Sequence, residues 1–247
     1  MKKNMPSIIL SVCLLLLWQI IAMLINAPYI LPSPVQILIR LWELRETLFL
    51  VQLPATMGVT ALGLIISVAL GLSLAIAMDL NEKIENALYP IIVASQTIPT
   101  TAIAPLFVLW FGYSIWSKVL VTILMTFFPI AITVFDGFKS SSREMEELLI
   151  TCGAGKKDIF FKLKIPQTLP YFFSAIKMAV PLSIIGAAIA EWLGAQSGLG
   201  YFSKRMMTQL DGAGVFAPVV LLSAAAMLFV SVISILEKKL IKWRKEL

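Results

Sequence analysis

Long apolar runs separated by short polar segments set the pattern of this chain. A helix that crosses about 30 Å of hydrocarbon needs about 20 mostly apolar residues. Six stretches meet that need, at about 7–25, 57–78, 87–111, 116–135, 170–194 and 215–236. The first follows Met1-Lys2-Lys3, as a secretory signal core would. Its apolar run is too long for such a core, and Asn26-Ala27-Pro28 makes a poor cleavage site, so a retained helix is expected. Between the first two spans, Pro34 to Leu50 predicts a short amphipathic helix. It mixes apolar Val35, Leu38, Ile39, Leu41, Trp42 and Phe49 with Arg40, Glu43, Arg45 and Glu46. In the second span Gly63, Ser67, Gly71 and Ala75 recur every four positions, a stripe that lets helix backbones approach. The third candidate lies in the uncharged run from Asn86 to Ser117, which Pro99 and Pro105 interrupt and Trp110-Phe111-Gly112-Tyr113 closes. The expected fold is all-α: an integral membrane bundle of six transmembrane helices with a cytoplasmic coupling-helix loop. A single domain over 1–247 is expected, with its core at about 55–240 and the loop at about 136–168.

Composition narrows the class. The chain is 59% hydrophobic and 14% charged, against about 25% charged for soluble domains. That excludes an ordinary soluble fold, and disorder needs the opposite balance. The absence of histidine removes imidazole zinc sites, histidine relays and Ser-His-Asp triads. Cys13 and Cys152 stand far apart in unlike surroundings, so neither a disulfide framework nor a metal site is expected. Net charge is +6, but the aromatic residues sit inside the apolar runs rather than among the basic ones. A nucleic-acid groove is therefore not expected.

The distribution of lysine and arginine predicts orientation. With six spans, the side that holds both termini collects 14 of them: Lys2, Lys3, Lys83, six from Lys139 to Lys164, and five from Lys238 onward. The opposite side collects Arg40, Arg45, Lys118, Lys204 and Arg205. Both termini and the loop at 136–168 are therefore expected in the cytoplasm, in a multi-pass protein of the cell (inner) membrane, in contact with lipid. That loop concentrates 11 of the 34 charged residues. It predicts two short helices, at about 142–152 and 156–164. Ser141 or Ser142 would cap the first, Gly153 and Gly155 would supply the turn, and Pro166 and Pro170 would set the entry to the fifth span. Gly155-Lys156 is not a P-loop. That motif needs a glycine where Ile150 stands and Ser or Thr where Lys157 stands.

Glu147-Leu148-Leu149, three residues, Gly153, nine residues and Leu163-Lys164-Ile165-Pro166 resemble the EAA loop of permease subunits of binding-protein-dependent ABC importers. The family pattern has alanines at Leu148 and Leu149, and Leu-Pro at Ile165-Pro166. Gln96-Thr97-Ile98-Pro99, Ala104 to Gly112, Ala190 to Ala195 and Gly198 to Phe202 are similar to the nitrate, sulfonate, taurine and thiamine-precursor branch. The resemblance implies a pair of permeases, most simply two copies of this chain, with two cytoplasmic ABC ATPase subunits and an extracytoplasmic solute-binding protein. It implies no catalytic residue and no cofactor in this chain, ATP and Mg being bound by the partner ATPase. It also implies ATPase coupling through Glu147 as polar anchor, Gly153 at the turn, and Leu148, Leu149, Phe160 and Phe161 as apolar contacts to the partner or to the bundle. Pro166 closes that motif. The stretch Arg205 to Gly212 is similar to permeases for the thiamine pyrimidine precursor (hydroxymethylpyrimidine), with sulfonate, taurine, nitrate and riboflavin as alternatives.

The residues also suggest pathway positions. Glu191 in the fifth span is costly to expose to lipid, so it should face the bundle or a water-filled path. It is either a gate contact near the outward end or a structural ion-pair or interface residue. Gln96, Thr97, Thr100 and Thr101, around Pro99, either line the path of a polar solute or bond helix to helix, and the pathway candidate Pro99, with Pro105, either allows bending or shapes the bundle. Met206, Met207 and Trp192 are candidate contacts for a binding protein. An ion-coupled secondary carrier would show repeats and paired acids in broken spans. An intramembrane enzyme would need a nucleophile or an acid–base pair. The chain offers neither pattern.

Overall fold

The computed structural model describes residues 5–241. With segments that run on unbroken taken together, the described residues form ten helices. They are α1 (Met5–Ile25), α2 (Pro34–Glu43), α3 (Arg45–Leu80), α4 (Glu82–Ser95), α5 (Thr100–Phe111), α6 (Ile115–Lys139), α7 (Arg143–Thr151), α8 (Lys156–Gly194), α9 (Leu199–Thr208) and α10 (Gly212–Leu240). Five of them, α1, α3, α6, α8 and α10, are long and apolar enough to cross a membrane. The basic residues at 2, 3, 242, 244 and 245, which entered the orientation argument, lie outside the described residues.

The third expected span departs from expectation. Residues 87–111 do not form one helix; α4 and α5 meet at 96° across a four-residue break. Pro99 is extended there (φ −67°, ψ 112°). Proline has no N–H to donate and pushes the residue before it out of the helical region, so the chain turns.

The amphipathic helix is shorter than Pro34 to Leu50. Ser33 and Gln36 form a reciprocal capping box at the start of α2, with N···O distances of 2.9 and 3.3 Å. The helix stops at Glu43, and Leu44 leaves helical geometry. Arg45 then begins α3, so the second span starts well before residue 57. The second loop helix likewise does not stand alone. It is the first part of α8, and the connection is therefore shorter than 136–168, because α6 runs to Lys139 and α8 starts at Lys156. Both long helices carry a π turn, Leu48–Gln52 in α3 and Phe160–Lys164 in α8. Each π turn ends two residues before a proline, Pro54 or Pro166. A widened turn accommodates the ring and the lost donor, so the helix continues where it was expected to end.

Helix α6 is central, packed between α3 and α8. The small-residue stripe faces it: Gly63, Ser67, Gly71 and Ala75 are all buried. The Ser67 and Thr126 hydroxyls meet at 2.6 Å. At the α7 end, Met78, Ile130, Val134, Phe135, Phe138, Ala175 and Ala179 form the largest core. The outward faces of α1 and α10 are apolar and exposed, and Ala22 is the one buried residue of α1.

The stripe gives a stability prediction. A Cβ on Gly63 would lie 2.5 Å from Thr122 Cγ2, while one on Gly58 would meet nothing within 4 Å. Gly63→Ala is expected to cost about 1–3 kcal/mol and to lower the melting temperature of the detergent-purified protein. Gly58→Ala should leave it unchanged. Equal melting temperatures for the two variants would refute close α3–α6 packing.

Candidate functional site

Helix α7 is exposed along its length and closed at both ends. Ser142 accepts a hydrogen bond from the Met145 amide at 3.2 Å, and Glu144 and Glu146 lie in the first turn, where the helix dipole favours anions. The far end closes in a Schellman motif: Gly153 N–H donates to Ile150 O and Ala154 N–H to Leu149 O, each at 2.9 Å. Gly153 takes φ +85° there, the left-handed conformation glycine adopts without a Cβ penalty. Gly155 does not share this role, since it has φ −78° and opens α8.

No residue of α7 is buried. Leu148 is 57% exposed, and Met145 and Ile150 are exposed beside it. Leu149 is half-buried. Glu147 points outward and pairs with Arg143 at 3.3 Å across one helical turn. The two phenylalanines divide. Phe160 stacks on Phe138 in the bundle with ring centroids 5.7 Å apart, whereas Phe161 is 63% exposed. Pro166 lies just after the π turn, at the continuation of α8.

Gln96, Thr97 and Pro99 gather at the break between α4 and α5. Gln96 lines a cavity of about 220 Å³ with Ser95, Ile98, Thr100, Met125 and Phe128. Thr97, in the break, donates to the last turn of α4, to Ala94 O at 2.7 Å. Glu191 is not among the residues lining this cavity. It sits near the C-terminal end of α8, where Tyr113, Trp192, Tyr201, Lys204 and Arg205 line a separate cavity of about 380 Å³ with it.

Glu191 is 1% exposed. It forms no ion pair with Lys177, which instead meets Glu237 of α10 at 2.8 Å. Its Oε2 accepts from Thr56 Oγ1 at 3.0 Å and from the Gly200 amide at 2.8 Å. Thr56 in turn accepts from the Leu199 amide at 2.8 Å, and Gln52 Oε1 accepts from the Gly198 amide at 2.7 Å. Two residues of α3 and one of α8 thus satisfy the first amides of α9, where a helix presents unpaired donors and a partial positive charge. The α8–α9 corner is latched to α3. Gly198 is required for the closure: at φ +119°, a Cβ would overlap the Glu191 carboxylate. Gln52 and Thr56 were missed as site residues. Two polar side chains four residues apart in an apolar run were the available signal. Met206 is buried in the core between α2, α3, α9 and α10 and is not open to a partner, whereas Met207 and Trp192 are exposed.

A bundle of long apolar helices with one short, wholly exposed helix, α7, standing off its end is an architecture that membrane transport permeases share. Sequence and structure comparisons agree. The chain belongs to the binding-protein-dependent transport system inner membrane component family, whose model matches residues 67–243. It is 54% identical to the formylaminopyrimidine transport permease protein ThiX of Halalkalibacterium halodurans, over 94% of this chain and 93% of that one. It is 34% identical to the riboflavin transport system permease protein RibX of Chloroflexus aurantiacus, over 96% and 91%. Its fold is similar to a crystal structure of an amino acid ABC transporter with histidines (TM-score 0.62, 18% identity, 79% of this chain and 93% of that one). The chain is a multi-pass permease subunit of an ABC importer.

Proposed function

We propose that this permease carries a thiamine pyrimidine precursor of the aminopyrimidine type into the cell. The 54% identity to a formylaminopyrimidine permease over nearly the whole of both chains carries this reading. The cavity beside Glu191 supports it, since Tyr113, Trp192 and Tyr201 are among its lining and aromatic side chains suit a planar ring. Two copies form the pathway. Each presents α7 to a cytoplasmic ATPase that binds ATP and Mg, with Glu147 and Leu148 on the docking face. The permease spans the inner membrane with both termini in the cytoplasm, and a binding protein delivers solute at the α9 end. ATP binding draws the two α7 levers together and opens the bundle outward, and hydrolysis resets it.

The test is uptake into proteoliposomes that hold the permease, its ATPase and its binding protein. Labelled formylaminopyrimidine is expected to enter only with ATP and binding protein, and taurine, nitrate and alkanesulfonates are not. Preferential uptake of a sulfonate, or uptake driven by a proton gradient without ATP, would overturn the proposal.

A further inference from the structure

An unburied helix transmits force only through what ties it to the bundle. Helix α7 buries none of its own side chains, yet one of its acids faces inward. Glu146 accepts from Ser141 Oγ at 2.7 Å and lies 3.8 Å from Lys164 Nζ. Lys164, in the π turn of α8, reaches on to Asp79 in the last turn of α3 at 2.7 Å. The Asp79 side chain is 2% exposed, Lys164 19% and Glu146 30%. One ammonium therefore joins three helices at the point where α7 leaves the bundle. Lys164 is the last residue of the π turn Phe160–Lys164.

We propose that Lys164 is a positioning residue for transport, an electrostatic pivot that fixes α7 to the α3–α8 pair through Asp79 and Glu146. The inference rests on the reading that α7 receives the ATPase. Asp79 anchors the ammonium, since a buried carboxylate demands its partner. Glu146 is the adjustable arm, half in water, able to pass a displacement of α7 to Lys164 without unfolding the site. Movement of the lever is then delivered jointly to the ends of α3 and α8, the two helices that also meet in the Glu191 latch at the other end.

The experiment uses the complete complex in proteoliposomes and reads solute carried per ATP hydrolysed. Glu146→Gln is expected to lower that ratio about fivefold. The paired Asp79→Asn/Lys164→Met variant removes the ion pair without stranding a buried charge and should lower the ratio at least as far. Lys164→Arg, which spans both acids, should retain it within about twofold. A distance measurement supplies a readout independent of turnover. Spin labels on Arg143→Cys and Lys83→Cys, in a Cys13→Ser/Cys152→Ser background, should give a narrow distribution that broadens in Glu146→Gln. If the paired variant does not fold, Glu146→Gln, on a partly exposed residue, carries the test alone. A wild-type complex that hydrolyses ATP and moves no solute overturns the proposed function. A coupled wild type with an equally coupled Glu146→Gln and an unchanged distance distribution overturns the pivot alone. So does a loss in Lys164→Arg as large as that in the paired variant.

Discussion

Gly198→Ala is expected to abolish transport and to cost the protein several kcal/mol of stability. Two effects add. The residue holds φ +119°, a conformation that costs an L residue about 1–3 kcal/mol. The new methyl would also overlap the Glu191 carboxylate, which has no room to retreat because Thr56 and the Gly200 amide hold it from the other side. Overpacking adds about 1–3 kcal/mol. The measurement is the melting temperature of the purified protein together with ATP-driven uptake. A double-mutant cycle separates the two effects: in a Glu191→Ala background the methyl has space, so Gly198→Ala should cost less there, and the remainder is backbone strain. Glu191→Gln keeps the acceptor that Thr56 and Gly200 use. It should fold like the wild type, and its transport distinguishes a latch, which tolerates it, from a gate that needs the charge. Wild-type stability and uptake in Gly198→Ala would remove the latch from the account.

The second large effect is expected on α7. Gly153→Val should lose ATP-driven uptake about tenfold or more while changing little in the membrane bundle. No atom lies within 4 Å of a Cβ placed on Gly153, so the cost is purely that of the φ +85° backbone. A β-branched residue would unwind the Schellman turn and re-aim the helix. Asparagine visits the left-handed region more readily, so Gly153→Asn should retain most activity. Leu148→Asp tests the docking face directly. Leu148 is exposed, and the folded permease should tolerate the change. Loss of one apolar anchor from a docked interface is worth about 2–4 kcal/mol, or about thirtyfold or more in affinity. Co-purification of the ATPase with the permease reads this effect. Undiminished co-purification with Leu148→Asp would place the docking face elsewhere.

The turn at Gly153 and the cap at Ser142 were legible because capping is local: the residues that satisfy the helix ends lie within three or four positions of each other. The small-residue stripe was legible because helical period alone puts Gly63, Ser67, Gly71 and Ala75 on one face. The span bounds were less so. A proline run suggests interruption, but the sequence does not say whether a given proline ends a helix, as Pro99 turns α4 from α5, or is absorbed by a π turn, as Pro54 and Pro166 are. That depends on whether neighbouring helices hold the backbone on both sides.

The partners of the buried charges were the least legible. Lys177 and Glu191 share a helix, and their spacing invites a comparison between them, yet each finds its partner on another helix. Asp79, Glu146 and Lys164 are separated by 67 and 18 residues of chain and meet only because α3, α7 and α8 converge. The sequence by itself determined the solvent this protein folds in, the existence of the long helices, the lever and its cap, because burial in lipid and local hydrogen bonding follow from composition and short spacing. The tertiary structure alone decided that Glu191 closes on the start of α9, and that Lys164 stands between two acids. In a low-dielectric bundle a charge must be paired or hydrogen-bonded, but which group meets it is set by how the helices pack.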